Sequence, residues 1–264
     1  MNYDLLYDIY ENSIKKNLLT KESFINRVKN INPEIYIFKD KAFYMKDKNS
    51  ILLLCVKEKY QNIGIGTELL KKCEEEIKKE GHKVVRLGHK DFLKGVPFEK
   101  DEFMFFDNRG YEDIKILSNN IFDVNKEFKA SEDISVEYLR SLDFPIFKRF
   151  FDLHDYNLVP NLDLNKPIIV AREKNKFIGF CQIAIENYKD LNENVGVVTN
   201  LFLMPKYRKC EKGYALFEFI RKEFKEKNIK LFEIDNFNSA MLEKENSGKV
   251  YVKYYVGVKD LGNE

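Results

Sequence analysis

The sequence predicts an α+β (α/β) protein made of two related modules in tandem, and three observations carry that reading. The chain overlays on itself without a gap, residues 51–87 falling on 198–234. In both copies a β-rich apolar run, a turn, an amphipathic segment of helical period and a second short β-rich run follow in that order. The turn of the first copy, Tyr60-Gln61-Asn62-Ile63-Gly64-Ile65-Gly66, places two glycines between the apolar run 51–56 and an amphipathic segment from Thr67.

Within the overlay Tyr60 meets Tyr207, Gln61 meets Arg208 and Gly66 meets Gly213. Leu69, Leu70, Cys73 and Ile77 fall on Leu216, Phe217, Ile220 and Phe224, one helical stripe in each copy. The polar stretch 125–133 interrupts the apolar pattern, so the modules are expected at 1–127 and 128–264.

In the first module, Leu5, Leu6, Ile9 and Ile14 space as one helix and Phe24, Ile25 and Val28 as another. Residues 35–38, 42–45 and 51–56 are short β-rich runs with tight polar connections, which predicts an antiparallel meander feeding the glycine turn. In the second, strands are expected at 134–136, 167–172, 177–185, 197–203, 230–235 and 249–258, with helices at 141–153 and 239–245 beside the repeat helix.

Composition narrows the function classes. Forty-five basic and forty-three acidic residues leave a formal charge of +2 and are intermixed, so no basic footprint for nucleic acid is present. The apolar runs are strand-sized, far short of the roughly 20 residues that span a bilayer, so no membrane partner is expected. Cys55, Cys73, Cys181 and Cys210 lack CxxC spacing, which predicts reduced thiols rather than metal ligands. The start, Met1-Asn2-Tyr3-Asp4, has no secretory pattern, and the cytoplasm is the expected location.

A strand that ends in glycines and turns into a helix leaves backbone N–H groups converging on one point, where the helix dipole adds attraction for an anion. Gly64 and Gly66 carry no Cβ, so a phosphate can approach the backbone. A P-loop would close on Gly-Lys-Ser/Thr, whereas here Gly66-Thr67-Glu68 follows; a dinucleotide fingerprint would need a third glycine where Leu69 stands. An ordinary glycine-containing turn is the remaining alternative.

Gln61, Gly64 and Gly66 also fit the Q/R-x-x-G-x-G/A pattern by which GNAT acyltransferases hold coenzyme A, and the flanking elements have the right type and order, so the chain resembles a tandem member of that superfamily. Gly95-Val96-Pro97 and Phe105-Phe106-Asp107-Asn108-Arg109-Gly110-Tyr111 extend the resemblance across residues 51–111. It implies two GNAT-like domains, each a mixed, mostly antiparallel twisted sheet flanked by helices. It further implies an N-acetyltransferase with acetyl-CoA as co-substrate and a small-molecule or peptide amine as acceptor, in a monomer or homodimer. Cofactor contacts would come from Leu54, Cys55 and Val56, through main-chain groups of a splayed strand, and from Gln61, Asn62, Ile63, Gly64, Ile65, Gly66 and Thr67.

The second module departs from the pattern, because Glu211 stands where the first has Gly64. A carboxylate about 5 Å from one phosphate charge costs on the order of 3 kcal/mol at an effective dielectric near 20. A degenerate second module is expected; in the alternative, Glu211 points to solvent while Arg208, Lys209 and Lys212 collect phosphate.

Acyl transfer by direct amine attack needs a polarised carbonyl, a proton acceptor and a proton for the leaving sulfur. His89, after the predicted strand at 84–87, is the first candidate base, with Glu58 and Asp101 as others. Where many family members have a donor tyrosine four residues before the last glycine, Phe106 stands; Tyr111, water or an unaided thiolate are the alternatives. An acyl-CoA-binding sensor or scaffold without catalysis is the competing function.

Overall fold

The three β-rich runs that precede the glycine turn pair as the meander their spacing predicts. Helices α1 (Tyr3–Glu11) and α2 (Lys21–Ile31) come first, each opened by a side-chain cap: Asn2 accepts from the Leu5 N–H and Thr20 from the Ser23 N–H. Strands β1 (Glu34–Phe38), β2 (Ala42–Asp47) and β3 (Ser50–Val56) then run antiparallel, with Tyr44 opposite Tyr36 on one side and opposite Leu54 on the other. This computed structural model describes residues 1–15, 18–89, 92–93, 95–98, 104–152, 162–208, 210–234 and 249–262.

A single-turn 3-10 helix, Glu58–Tyr60, leads into α3 (Ile65–Lys79). Leu69, Leu70, Cys73 and Ile77 form the buried stripe of α3, at the spacing the sequence predicted. Each of the three larger side chains contributes about 1.5–3 kcal/mol by leaving water. The helix stops at Gly81, whose φ of +87° suits the hydrogen bonds from the Gly81 N–H to the Lys78 carbonyl and from the His82 N–H to the Ile77 carbonyl. Strand β4 (Val84–Leu87) follows, parallel to β3, and then β5 (Val96–Phe98), α4 (Met104–Asp107) and β6 (Glu112–Asp123).

Two compact units emerge, one of Met1–Ser118, Asn187–Glu193 and Val252–Glu264, the other of Asn119–Glu186 and Asn194–Tyr251. The expected division at 127/128 falls inside the segment Asn119–Glu186 of the second compact unit. The closing strand β12 (Lys249–Asp260), expected in the second module, pairs antiparallel with β4 through Val258–Asp260 and with β5 through Lys253–Tyr255. Its Tyr255 hydroxyl donates to the Tyr111 carbonyl at 2.8 Å, and the ring joins a core with Tyr44, Leu69, Leu70, Cys73, Ile77 and Phe106.

The second unit holds β7 (Ile134–Tyr138), α5 (Phe144–Asp152), β8 (Ile168–Glu173), most of β9 (Lys176–Tyr188) and β10 (Glu193–Leu203), α6 (Glu211–Glu226) and β11 (Leu231–Ile234). Strands β7, β8 and β9 are antiparallel, and β10 is parallel to β11, repeating the β3–β4 relation. The end of β6 supplies the last strand, Asn120–Asp123 pairing antiparallel with β11 while Phe122 stacks on Phe232 at 5.4 Å. A helix at 239–245 falls outside the described residues.

The repeat holds at atomic detail. The 3-10 turn Pro205–Tyr207 occupies the place of Glu58–Tyr60. The Gln61 side chain donates to the Val56 carbonyl at 2.9 Å, and Arg208 Nε donates to the equivalent Leu203 carbonyl at 2.8 Å. Two different side chains thus close the same strand end.

Candidate functional site

Strands β3 and β4 diverge soon after they meet. Their register pairs are Ser50 with Arg86 and Ile51 with Leu87, followed by the Gly88 N–H bonding the Ile51 carbonyl at 2.9 Å. Beyond that point β3 continues along β2 to Val56, and a cleft of about 520 Å³ opens beside it. Leu52, Leu53, Leu54 and Val56 line it along β3, and Leu87, Val96 and Pro97 are among its other apolar lining residues. The glycine turn lines it, as do Ser13, Ile14 and Lys15 from the segment after α1.

Gly64 is the N-cap of α3 with φ +94°, a conformation that L side chains rarely adopt. A Cβ there would meet nothing within 4 Å, so backbone shape alone calls for glycine. Asn62, also left-handed at φ +61°, bends the chain just before this cap, and both residues line the cleft. At Gly66 a Cβ would meet the Phe105 ring at 3.4 Å, an ordinary van der Waals contact.

The residues expected to hold cofactor divide by position. Leu54, Val56, Gln61, Asn62, Gly64, Gly66 and Thr67 line the cleft; Cys55, Ile63 and Ile65 do not contribute to its lining. Cys55 alternates to the opposite face of β3, where burial pushes its thiol pKa up and keeps it neutral. Ile63 is exposed, and Ile65 packs on the unit's core.

The three residues expected to carry proton transfer lie elsewhere. His89 sits 3.5 Å from Asp47, outside the lining, and Tyr111 is buried with its hydroxyl donating to Glu74 at 2.9 Å. Burial, then the Glu74 carboxylate, push the Tyr111 pKa up, the wrong direction for releasing a proton. Glu58 is exposed and pairs with the cleft-lining Lys15 at 3.0 Å, which places it at the margin. Asp101 lies outside the described residues.

Arg109 lines the cleft, and the sequence reading did not single it out. Its guanidinium stacks on Phe105 at 3.9 Å, donates to the Phe105 carbonyl at 2.6 Å and reaches Thr67 Oγ1, in the first turn of α3, at 2.7 Å. Its signal was position: it precedes the Gly110 turn (φ +79°) that follows α4, in the segment carrying the family resemblance.

The matching turn of the second unit is closed by its own residues. Cys210 is an extended N-cap and Glu211 begins the helix, pairing with Lys129 at 2.7 Å while its carbonyl accepts from the Ser131 N–H at 3.0 Å. Lys212 is tied to Glu173, and Arg208 to the Leu203 carbonyl. Gly213 is packed so closely that a Cβ would run into the Tyr207 carbonyl.

A strand, a turn, a helix and a parallel strand thus recur in two copies, the helix capped by Gly64 in the first and by Cys210 in the second. Family models place an acetyltransferase (GNAT) domain at residues 41–113 and an acetyltransferase (GNAT) family domain at 132–243. Together they cover more than half of the chain, which belongs to the GNAT superfamily as a tandem member.

Among solved structures it is similar to a GCN5-related glucosamine N-acetyltransferase region of a fungal multi-domain GH3 β-N-acetylglucosaminidase, with TM-score 0.72 and 16% identity over 97% of this chain. The chain spans 37% of that protein's length. A GCN5-related N-acetyltransferase from Sphaerobacter thermophilus matches at TM-score 0.61 and 12% identity, covering 92% of this chain and 86% of the other. A tandem GNAT protein from the clavulanic acid biosynthesis pathway matches at 0.61 and 10%, covering 99% and 95%. At these identities the likeness is one of fold. No curated protein matches the sequence.

Proposed function

We propose that the first unit binds acetyl-CoA in the cleft beside β3 and that the protein transfers the acetyl group to a small-molecule or peptide amine. The observation that carries this reading is the glycine turn, which lines, together with the first turn of α3, a cleft that Leu52, Leu54, Val56, Val96 and Pro97 also line. The turn suits a pyrophosphate and the wall suits a pantetheine arm. Acetyl-CoA would supply the activated thioester.

The chain's part is to hold that thioester along the splayed edge of β3 and to exclude water with Leu52, Leu54, Val96 and Pro97. Of the three proton-transfer candidates, Glu58 is the one joined to the cleft wall, through Lys15, and we assign the amine's proton to it. The second unit, with Glu211 at its turn, is assigned a supporting role without coenzyme A.

Calorimetric titration of acetyl-CoA into the intact protein, Gly64→Glu and Glu211→Gly tests the reading. Binding should vanish in the first variant and persist in the second; full binding by Gly64→Glu would falsify it. Thiol release with a panel of amines then measures transfer, with Glu58→Gln expected to slow it.

A sensor that binds acyl-CoA without transfer is the second reading. It is favoured by Phe106, which fills core where a donor tyrosine stands in many relatives, and by the engagement of Tyr111 with Glu74. Tight binding with no thiol release for any amine would select it.

The cytoplasm is the proposed location: all four cysteines are free, with Cys210 half-buried and the others buried. Among the described residues no helix is long and apolar enough to cross a membrane. Light scattering would distinguish monomer from homodimer.

A further inference from the structure

The guanidinium of Arg109 occupies a place that electrostatics disfavours in the free protein. It reaches the first turn of α3, where the helix dipole presents positive charge and a cation destabilises. Its acceptors there are neutral, the Phe105 carbonyl and the Thr67 hydroxyl. Among the described residues its Nε is buried with no hydrogen-bond partner. The acidic residue of that turn, Glu68, is exposed and forms no ion pair with it.

Yet the group is held firmly. Phe105 lies against Gly66 and carries the guanidinium at 3.9 Å, so the ring fixes the cation relative to the turn. A fixed cation beside the N-terminal turn of α3, in the lining of a cleft, is an arrangement completed by an anion.

We propose that Arg109 is an anion-binding residue of the cleft, pairing with a phosphate of the ligand that the glycine turn receives. It deepens the acetyl-CoA reading and rests on it for the identity of that ligand; the chemistry itself is that of a phosphate or pyrophosphate group. Guanidinium N–H groups beyond those given to Phe105 and Thr67 are the donors. Phe105 and Thr67 are the positioning residues.

The test uses the full-length protein and Arg109→Gln and Arg109→Lys, titrated with coenzyme A, with inorganic pyrophosphate and with S-acetylpantetheine, which keeps the thioester arm and has no phosphate. Arg109→Gln should weaken coenzyme A and pyrophosphate roughly ten- to a hundred-fold, leave S-acetylpantetheine unchanged and flatten the salt dependence of coenzyme A binding. Arg109→Lys should recover part of the loss.

Unchanged coenzyme A affinity in Arg109→Gln would overturn the assignment. So would an equal loss for S-acetylpantetheine, which would mean that Arg109 only props the turn. If the unaltered protein binds pyrophosphate in an Arg109-dependent way but not coenzyme A, the anion site stands and the acetyl-CoA reading falls. If it binds neither, both fall.

Discussion

Gly64→Ala and Gly81→Ala form a matched pair that separates the shape of the turn from the stability of the helix it caps. Both glycines flank α3, both lie in the left-handed region (φ +94° and +87°), and at neither would a Cβ meet an atom within 4 Å. The cost of either change is therefore backbone strain alone, about 1–2 kcal/mol. A gain of about 0.4–1 kcal/mol from the less flexible unfolded chain partly offsets it. Both variants should melt a few degrees lower, on the order of 2–4 °C per kcal/mol for a unit of this size.

Binding is where they part. At Gly64 the strain can be relieved by abandoning the conformation that aims the N–H groups into the cleft, so acetyl-CoA affinity should fall roughly five- to thirty-fold, the equivalent of 1–2 kcal/mol. At Gly81, on the far end of the helix, affinity should not change. Thermal unfolding with calorimetric titration measures both quantities. Equal affinity in the two variants would refute the claim that the turn's backbone is the anion receptor.

Three further predictions rest on other parts of the chain. Phe151 is fully buried, with its ring centroid 4.9 Å from those of Phe147 and Phe180, so Phe151→Ala should cost about 3–5 kcal/mol in urea unfolding of the second unit; a loss below 1 kcal/mol would show that the site collapses around the gap. The Lys212 ammonium, then the Tyr207 hydroxyl, hold the Glu173 carboxyl down from 4.5 to about 2. That contribution is complete above pH 4.5 and is lost as pH falls through about 2, so the unfolding midpoints of the natural protein and Glu173→Gln should converge across that window; parallel curves would count against it. A chain ending at Tyr251 lacks the paired part of β12 and the Tyr255–Tyr111 bond, and should lose the native amide-exchange protection of β4.

The elements themselves were readable because they depend on neighbours close in sequence. Alternating β-branched and aromatic residues give β1–β3 and β8–β10, while the i, i+1, i+4, i+8 spacing of Leu69, Leu70, Cys73 and Ile77 gives the buried face of α3. The overlay of 51–87 on 198–234 proved accurate down to the side chains of Gln61 and Arg208, which cap the equivalent carbonyls of Val56 and Leu203. The two glycines of the turn were legible for a similar reason: a missing Cβ is a property of the residue, whatever surrounds it.

Proton-transfer candidates were chosen from residue type, and type does not fix direction. His89 and Tyr111 have the right chemistry for catalysis, but packing turns them toward Asp47 and Glu74. Arg109, chosen by neither type nor motif, is brought to the turn because Phe105 lies against Gly66 and carries the guanidinium.

The sequence by itself determined the tandem repeat, the strands and helix of each repeated segment, the glycine turn of the first copy and the place of Glu211 in the second. Tertiary structure alone decided which unit each last strand completes and which side chains enter the cleft. The closing strand of the chain carries the same β-rich signal whether it pairs with β11 or with β4, because an edge presents the same backbone donors and acceptors to any partner; the choice falls to contacts such as Tyr255 with Tyr111, 144 residues apart.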